Sequence, residues 1–258
     1  MLSNSSGFPP IGQSFTVLTT VDSTNNYAMQ AAKSGLGSHG SVYFALEQSA
    51  GRGQRGRSWQ SQPGENIALS AILEPHQLHA SQAFVLSACI ALACYDFFKN
   101  YTGPDELRIK WPNDLYWQDR KAAGILIENI YRGNQWSFAI AGIGININQT
   151  RFDLPSKKAV SLKQITGRYF DLMILCRELC SCLEERYRQL MEDENEILHA
   201  YNEVLYKKEQ VVQLQLQKDG SIRELTVLRA EPDGRLLCSD HAGQSFYFSS
   251  GEIVWLAV

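Results

Sequence analysis

A glycine- and arginine-rich connection between two predicted strands constrains the fold of this chain more than any other feature. The connection runs from Gln48 to Trp59 with the sequence Q-S-A-G-R-G-Q-R-G-R-S-W. Residues 41–47 are rich in β-branched and aromatic side chains, and residues 66–73 alternate polar and apolar positions, so both segments predict strands. Structureless connections longer than about 12–15 residues are uncommon and are usually functional or disordered. The connection is therefore the first candidate for a functional site.

The side chains of this connection suit an anionic ligand. Its glycines can adopt positive φ and let successive backbone N–H groups converge on an anion, while guanidinium groups suit phosphate and carboxylate oxygens. A tryptophan adds a flat surface on which a purine can stack. Composition alone fits an exposed, flexible, basic hairpin equally well. The residues concerned are Gly51, Arg52, Gly53, Arg55, Gly56, Arg57 and Trp59.

Composition argues against several classes of protein. The 258 residues suffice for a large domain with a small one, and 44% hydrophobic with 20% charged residues is typical of soluble globular proteins. The formal net charge of −3 gives no global field that favours nucleic acid or an anionic membrane. Residues 1–7 lack the regions of a signal peptide, and we expect the apolar run Ala83–Phe98 to be too short to span a bilayer. We therefore expect a cytoplasmic protein without membrane contact.

The cysteines predict buried, reduced thiols. None forms a C-x-x-C pair. Cys176 and Cys180 would share one helical face and could form half of a metal site, but no second pair has ligand spacing. The six are Cys89, Cys94, Cys176, Cys180, Cys182 and Cys238.

The chain before residue 207 predicts mixed helices and strands. A strand at 15–18 precedes Asp22–Asn25, whose small polar residues predict a helix N-cap and could also bind a polar head group. Gly35 predicts the end of that helix, and a buried helix is expected over about 81–100. Consecutive strands on short turns then predict an antiparallel meander. Its strands are expected at 107–111, 115–117, 123–130 and 136–147.

The later part of the chain changes character near residue 210. A polar connection is expected over 150–168, then a helix capped by Asp171 and a second helix over about 194–206. Beyond it, five short strands with Asp-Gly turns predict a small barrel. We place the domain boundary at 207–208, which gives domains 1–207 and 208–258.

Five motifs, in this order and spacing, resemble those of biotin–protein ligases. They are D-S-T-N at 22–25, G-R-G-Q-R-G-R-S-W at 51–59, K-W-P-N-D at 110–114, K-A-A-G-I-L-I-E at 121–128 and G-I-G-I-N at 142–146. The resemblance covers residues 15–205 well and the C-terminal strands in pattern. It implies an α+β fold: a mixed, largely antiparallel sheet flanked by helices, similar to class II synthetases, with a small C-terminal SH3-like β-barrel.

The resemblance implies an enzyme that attaches biotin to protein in two ATP-dependent steps. The biotin carboxylate would attack the α-phosphorus of ATP and release pyrophosphate. A lysine of a biotin carboxyl carrier domain, of the acetyl-CoA carboxylase type, would then attack the biotinyl-adenylate and release AMP. The implied small molecules are biotin, ATP and Mg²⁺, and the implied assembly is a monomer or a homodimer.

The motifs also imply a role for individual residues. Lys121 and Arg52 would be catalytic, and Lys121 would reach the reacting carboxylate and α-phosphate from a turn. No direct metal ligand is assigned, although Asp114 is a candidate near Mg²⁺. The implied biotin-binding residues are Ser23, Thr24, Asn25, Gln48, Gly51, Arg52, Lys121, Gly142 and Gly144. The implied ATP- and adenylate-binding residues are Gly53, Gln54, Arg55, Arg57, Trp59, Lys110, Asn113, Asp114 and Asn146.

Two departures and two alternatives accompany this interpretation. Gln54 stands where the family pattern G-R-G-R-x-G-R often has arginine. Few residues precede the first strand, so we expect the enzyme-only form without a DNA-binding domain. Lipoate– and octanoyl–protein ligases share the architecture and could also use a lysine, but they generally lack the G-R-G-x-R-G-R-x-W loop. A non-catalytic biotin-sensing module would leave both Lys121 and that loop unexplained.

Overall fold

The computed structural model describes residues 9–76, 78–133, 135–152 and 159–256. The N-terminal segment for which we predict no signal peptide, and part of the polar connection predicted over 150–168, lie outside the described residues. The strands are β1 Phe15–Val21, β2 Val42–Gln48, β3 Ile67–Leu73, β4 Leu107–Lys110, β5 Asp114–Trp117, β6 Arg120–Arg132, β7 Gln135–Ile145, β8 Val211–Leu216, β9 Ile222–Ala230, β10 Leu236–Ser239, β11 Ser245–Phe248 and β12 Ile253–Trp255. The α-helices are α1 Thr24–Ser34, α2 Ala83–Thr102, α3 Leu162–Thr166, α4 Leu172–Glu192 and α5 Glu194–Glu203.

The first seven strands form one mixed sheet in the order β1-β2-β3-β7-β6-β5-β4. Only the β1–β2 pair is parallel among the described strands, and β4 to β7 form the predicted antiparallel meander. The β6–β7 register places Gly124 opposite Gly144 and Leu126 opposite Gly142. Because side chains alternate between faces, these four positions lie on one face of the sheet.

The two faces of the sheet are covered unequally. Helices α2, α4 and α5 pack on one face and share the larger hydrophobic core. Among the described helices, α1 alone packs on the other face, where its Ala28 and Ala32 contact Ile72 and Ile140. Beyond the N-terminus of α1, this second face is left open over the glycines of β6 and β7, so the fold leaves room for a ligand there.

Helix α2 is largely buried inside the protein. The helical segment Ala80–Thr102 is long and apolar enough to cross a bilayer, which corrects our expectation that this run is too short. However, 67% of its most apolar window is buried inside the protein. Strand β3 also differs from expectation: all seven residues are buried, because α1 and α4 cover opposite faces, although the sequence alternates polar and apolar positions.

Several element boundaries differ from those predicted. Lys121 lies in strand β6 rather than in a turn, because β6 begins at Arg120 and pairs with β5 from there. The polar connection contains the short helix α3, which Ser161 and Gln164 stabilise through a capping box. Asp171 caps α4 as predicted, since its carboxylate accepts from the backbone N–H groups of Met173 and Ile174.

The last five strands form a separate antiparallel sheet in the order β11-β10-β9-β8-β12. The α+β fold class, with a large mixed sheet and a small C-terminal β unit, is confirmed; the boundary at 207–208 stays a prediction. All six cysteines are free, and burial raises the pKa of the Cys180 thiol to about 11. Five of the six are buried, as predicted for inert structural thiols.

Candidate functional site

A cavity of about 510 Å³ opens over the uncovered face of the large sheet. Glycines form its floor because side chains there would collide with the walls. A Cβ on Gly142 would overlap the Asn25 carboxamide, and a Cβ on Gly144 would overlap the Trp59 indole. All the predicted site residues line this cavity except Gly51 and Asn146. Segments far apart in sequence are thus brought together, while the role of each residue stays a prediction.

One end of the cavity is a buried network of uncharged polar groups. The Gln48 side-chain oxygen accepts from the backbone N–H of Thr24 (2.8 Å) and lies 3.2 Å from its hydroxyl. The fully buried Ser70 hydroxyl lies 2.8 Å from Thr24 Oγ1 and 2.6 Å from Asn25 Oδ1. Ser23 occupies the N-cap position of α1 without a side-chain capping bond, so its hydroxyl stays available to a ligand. This end suits a compact ligand group with both donors and acceptors.

The glycine- and arginine-rich connection folds on itself instead of hanging loose. The backbone N–H of Trp59 donates to Gly51 (2.9 Å) and that of Gly53 donates to Arg57 (2.7 Å), which forms a small hairpin. A Cβ on Gly51 would press on the Trp59 carbonyl, so this glycine supports the hairpin rather than lining the cavity. Arg55, at the tip of the hairpin, adopts φ 58° and donates to Ser250 Oγ at 2.9 Å. The tip is therefore held by the C-terminal sheet.

Lys121 extends from the start of β6 into the middle of the cavity. Its Nζ lies 2.6 Å from Asp114 Oδ1 and 6.0 Å from the centre of the Trp59 ring. Trp59 lies on the glycine floor beside it, and its indole N–H is buried with no partner in the described part of the chain. A buried donor without a partner costs free energy, so a ligand acceptor here would be favoured.

Lys110 is enclosed by aromatic rings from three segments of the chain. Its Nζ lies 4.6 Å from the ring centre of Tyr116, 5.4 Å from that of Tyr206 and 5.3 Å from that of Trp255. Burial lowers the pKa of Lys110 to about 8, while the ring faces favour its charged form. Because Trp255 belongs to β12, this cluster joins the cavity wall to the C-terminal sheet.

Two amides predicted to bind nucleotide have structural partners. The buried Asn113 side chain donates to the Ile125 carbonyl and holds the β5 turn against β6. Asn146 donates to the backbone carbonyls of Lys121 and Val160, each at 3.2 Å, and does not line the cavity. Asn146 thereby fixes the backbone that carries Lys121.

The described side chains around the cavity offer few ligands for a metal ion. Asp114, the candidate near Mg²⁺, already forms an ion pair with Lys121. Within the described ranges, no cluster of three or more His, Cys, Asp or Glu side chains could hold a metal ion. The side chains present therefore do not form a metal-binding site of their own.

Sequence reasoning assigned no role to several residues at the cavity. Ser70 is polar within an apolar strand, and Glu128 is charged within a largely apolar one, so both carried a signal that was not used. Tyr206, Ser250 and Trp255 carried none, because only the packing of the two sheets brings them to the cavity.

Comparison with known proteins is consistent with this geometry. Residues 17–146 match the model of the biotin/lipoate A/B protein ligase family. The chain is 39% identical over 142 residues to the bifunctional ligase/repressor BirA of Escherichia coli (strain K12), which covers 55% of this chain and 43% of that protein. It is 28% identical over 242 residues to the biotin–[acetyl-CoA-carboxylase] ligase of Mycobacterium tuberculosis, covering 93% and 88% of the two chains.

A solved structure is similar over nearly the whole fold. The biotin protein ligase from Aquifex aeolicus, determined in complex with biotin and ATP, superposes with a TM-score of 0.77 at 24% identity over 95% of this chain and 100% of that one. Against several relatives the match spans only 42–56% of the relative's own length. The family model nevertheless covers half of the chain. The protein therefore belongs to the biotin/lipoate A/B protein ligase family.

Proposed function

We propose that this protein attaches biotin to a lysine of a biotin carboxyl carrier domain, through a biotinyl-5′-adenylate made from ATP. The first step joins the biotin carboxylate to the α-phosphate and releases pyrophosphate. The second transfers the biotinyl group to the ε-amine of the carrier lysine, with AMP as the leaving group. Relatives named biotin–[acetyl-CoA-carboxylase] ligase support a carrier of the acetyl-CoA carboxylase type.

The polar end of the cavity is the observation that favours biotin over other acids. The head group of biotin is a cyclic urea, which has two N–H donors and a carbonyl acceptor. Thr24, Asn25 and Gln48 offer hydroxyl and carboxamide groups at this end, which we call the closed end, and the fully buried Ser70 bonds to Thr24 and Asn25 behind them. The dithiolane of lipoate or the alkyl end of octanoate has no N–H or carbonyl group to offer to the donors and acceptors of this end, and a site built to hydrogen-bond its ligand rejects analogues that lack the matching groups.

The cationic part of the cavity suits adenylate chemistry. Negative charge accumulates between the attacking carboxylate, the α-phosphate and the departing pyrophosphate. Lys121 Nζ lies between the polar end and the hairpin, where it can stabilise that charge. Arg55, Arg57 and Lys110 line the remainder and would bind the phosphates, and the Trp59 ring would contact the adenine. Mg²⁺ would accompany the phosphates of ATP as part of the substrate.

The proposal is tested by biotin-dependent exchange of pyrophosphate into ATP, with lipoate and octanoate in parallel reactions. We expect exchange with biotin alone, followed by biotinylation of one lysine on an added carrier domain. Exchange with lipoate or octanoate but not biotin would assign the protein to the other branch of its family. No exchange with any acid, together with measurable biotin binding, would favour a sensing module.

A further inference from the structure

Glu128 places a carboxylate against Arg52 and Asn25, two residues that line the cavity in which we expect anions to bind. It lies on β6 opposite Ile140, on the same face as Gly124 and Leu126. Its side chain is only 20% exposed. A half-buried negative charge repels phosphate and carboxylate ligands, so its presence here calls for a compensating role.

The contacts of Glu128 supply such a role. Its Oε1 lies 2.9 Å from Arg52 Nη2, and its Oε2 accepts from Arg52 Nη1 at 3.1 Å. The two terminal nitrogens of the guanidinium are therefore bound as a pair by one carboxylate, which fixes the guanidinium plane. Asn26 Oδ1 accepts a further bond from Arg52 Nη1 at 2.8 Å.

These bonds occupy one edge of the guanidinium and leave another edge free. Arg52 has five N–H donors, of which both on Nη1 and one on Nη2 are used. The Nε–H and the second Nη2–H point the same way and form a fork that matches two oxygens of a phosphate or carboxylate. Among the hydrogen bonds of the described ranges, none uses this fork.

Glu128 also connects Arg52 to the polar end of the cavity. Asn25 Nδ2 donates to Glu128 Oε2 at 3.0 Å, and Asn25 Oδ1 accepts from the buried Ser70 hydroxyl. The orientation of the guanidinium is thus tied through one carboxylate to the groups that would hold the biotin head.

We propose that Glu128 is a positioning residue that orients Arg52 so that its free Nε/Nη2 fork faces an oxyanion of the substrates. The inference rests on the proposed function, since it concerns the adenylation step. It predicts that the loss of the Glu128 charge acts through Arg52 and affects the rate of adenylation more than the binding of biotin, because the carboxamide oxygen of Glu128→Gln can still accept from Asn25.

The test is a double-mutant cycle measured by pyrophosphate exchange. Glu128→Gln keeps the shape but turns an amide N–H₂ toward one guanidinium nitrogen, and we expect about a tenfold fall in kcat with less than about threefold change in the KM for biotin. In an Arg52→Ala background, the same change should cost less than about twofold. Asn26→Ala removes the other acceptor together with a bond to Asp22, and should show a smaller, equally Arg52-dependent loss.

A matched control separates this role from a general loss of an ion pair. Glu185→Gln breaks an exposed Glu–Arg pair with Arg188 on α4 and should leave kcat and KM unchanged. The inference would be overturned if Glu128→Gln lowered kcat by the same factor in the Arg52→Ala background as in the wild-type background. It would also be overturned if Glu128→Gln alone had the wild-type kcat. An inactive wild-type protein would instead contradict the proposed function, so the two failures are distinguishable.

Discussion

The two ends of the cavity are built in opposite ways. At the closed end, Thr24, Asn25 and Ser70 are buried and already bonded to one another without any ligand. At the open end, Arg52, Arg55 and Arg57 are exposed, and the hairpin that carries them is held by a few bonds. The closed end is therefore held by its own buried hydrogen bonds, whereas the charged side chains of the open end remain exposed.

We infer that this difference separates recognition from chemistry. Polar groups held in place by the protein would discriminate between head groups, because only a ligand with matching donors and acceptors can use their remaining hydrogen-bonding capacity. Cationic side chains at the open end would stabilise charge that develops during reaction, which is a contribution to rate rather than to ground-state binding. Substitutions at the two ends should therefore separate biotin affinity from adenylation rate, and the following predictions test that separation.

The largest effect is expected at Lys121. Lys121→Ala removes the cation at the centre of the cavity, and one such group typically stabilises a transition state by roughly 3–4 kcal/mol, on the order of 10²–10³ in rate. Biotin affinity, measured by calorimetry without ATP, should change far less. A near wild-type rate of pyrophosphate exchange would show that Lys121 does not stabilise the developing charge.

At Gly142 we expect biotin affinity to fall while the rate of adenylation stays nearly unchanged. The Cβ of Gly142→Ala would overlap the Asn25 carboxamide and displace it from Ser70 and Glu128. Disturbing a buried hydrogen-bonded group costs about 1–3 kcal/mol, so biotin affinity should fall by roughly ten- to a hundredfold. At saturating biotin, kcat should recover to near the wild-type value. A fall in kcat with unchanged affinity would contradict the assignment of this end to recognition.

A smaller effect is expected at Gln54, which lines the open end. Gln54→Arg adds a charged donor, and a charged hydrogen bond exceeds a neutral one by roughly 1 kcal/mol, so preformed adenylate should dissociate about fivefold more slowly. Gln60→Arg adds the same charge to an exposed position outside the cavity and serves as the matched control. Equal dissociation rates for Gln54→Arg and wild type would mean that position 54 does not contact the adenylate.

Local patterns predicted most of the fold, and most of the residues predicted for the site line one cavity, but the patterns did not predict which contacts hold those residues in place. The motifs predicted that Ser23, Gln48, Arg52 and Lys121 belong to one site, and all four line the same cavity. The same patterns placed Lys121 in a turn, because pairing with β5, which extends β6 to Arg120, is a tertiary effect. The burial of β3 was also missed, since alternation cannot reveal that helices cover both faces of a sheet.

Contacts between distant segments account for what the sequence could not predict. Ser250 and Trp255 approach the cavity only because the two sheets meet, and no periodicity carries that information. Asn146 shows the converse error: a motif suggested ligand contact, but its amide serves the backbone of β6. Patterns within a single segment do not predict roles that depend on packing between sheets.

The ring-enclosed Lys110 couples the meeting of the two sheets to proton binding. Its pKa is about 8 in the folded protein against 10.5 for an ordinary lysine, so between these values the unfolded chain holds more protons than the folded one. The contribution of Lys110 to the free energy of unfolding therefore rises as pH rises through that window, by at most about 1.4 kcal/mol per pH unit. The unfolding free energy of the wild type minus that of Lys110→Met should therefore increase as pH rises through the same window. Alkaline solution would neutralise the amine and remove the desolvation cost of the enclosed charge, so the stability of the cluster that joins β12 to the cavity wall depends on one proton.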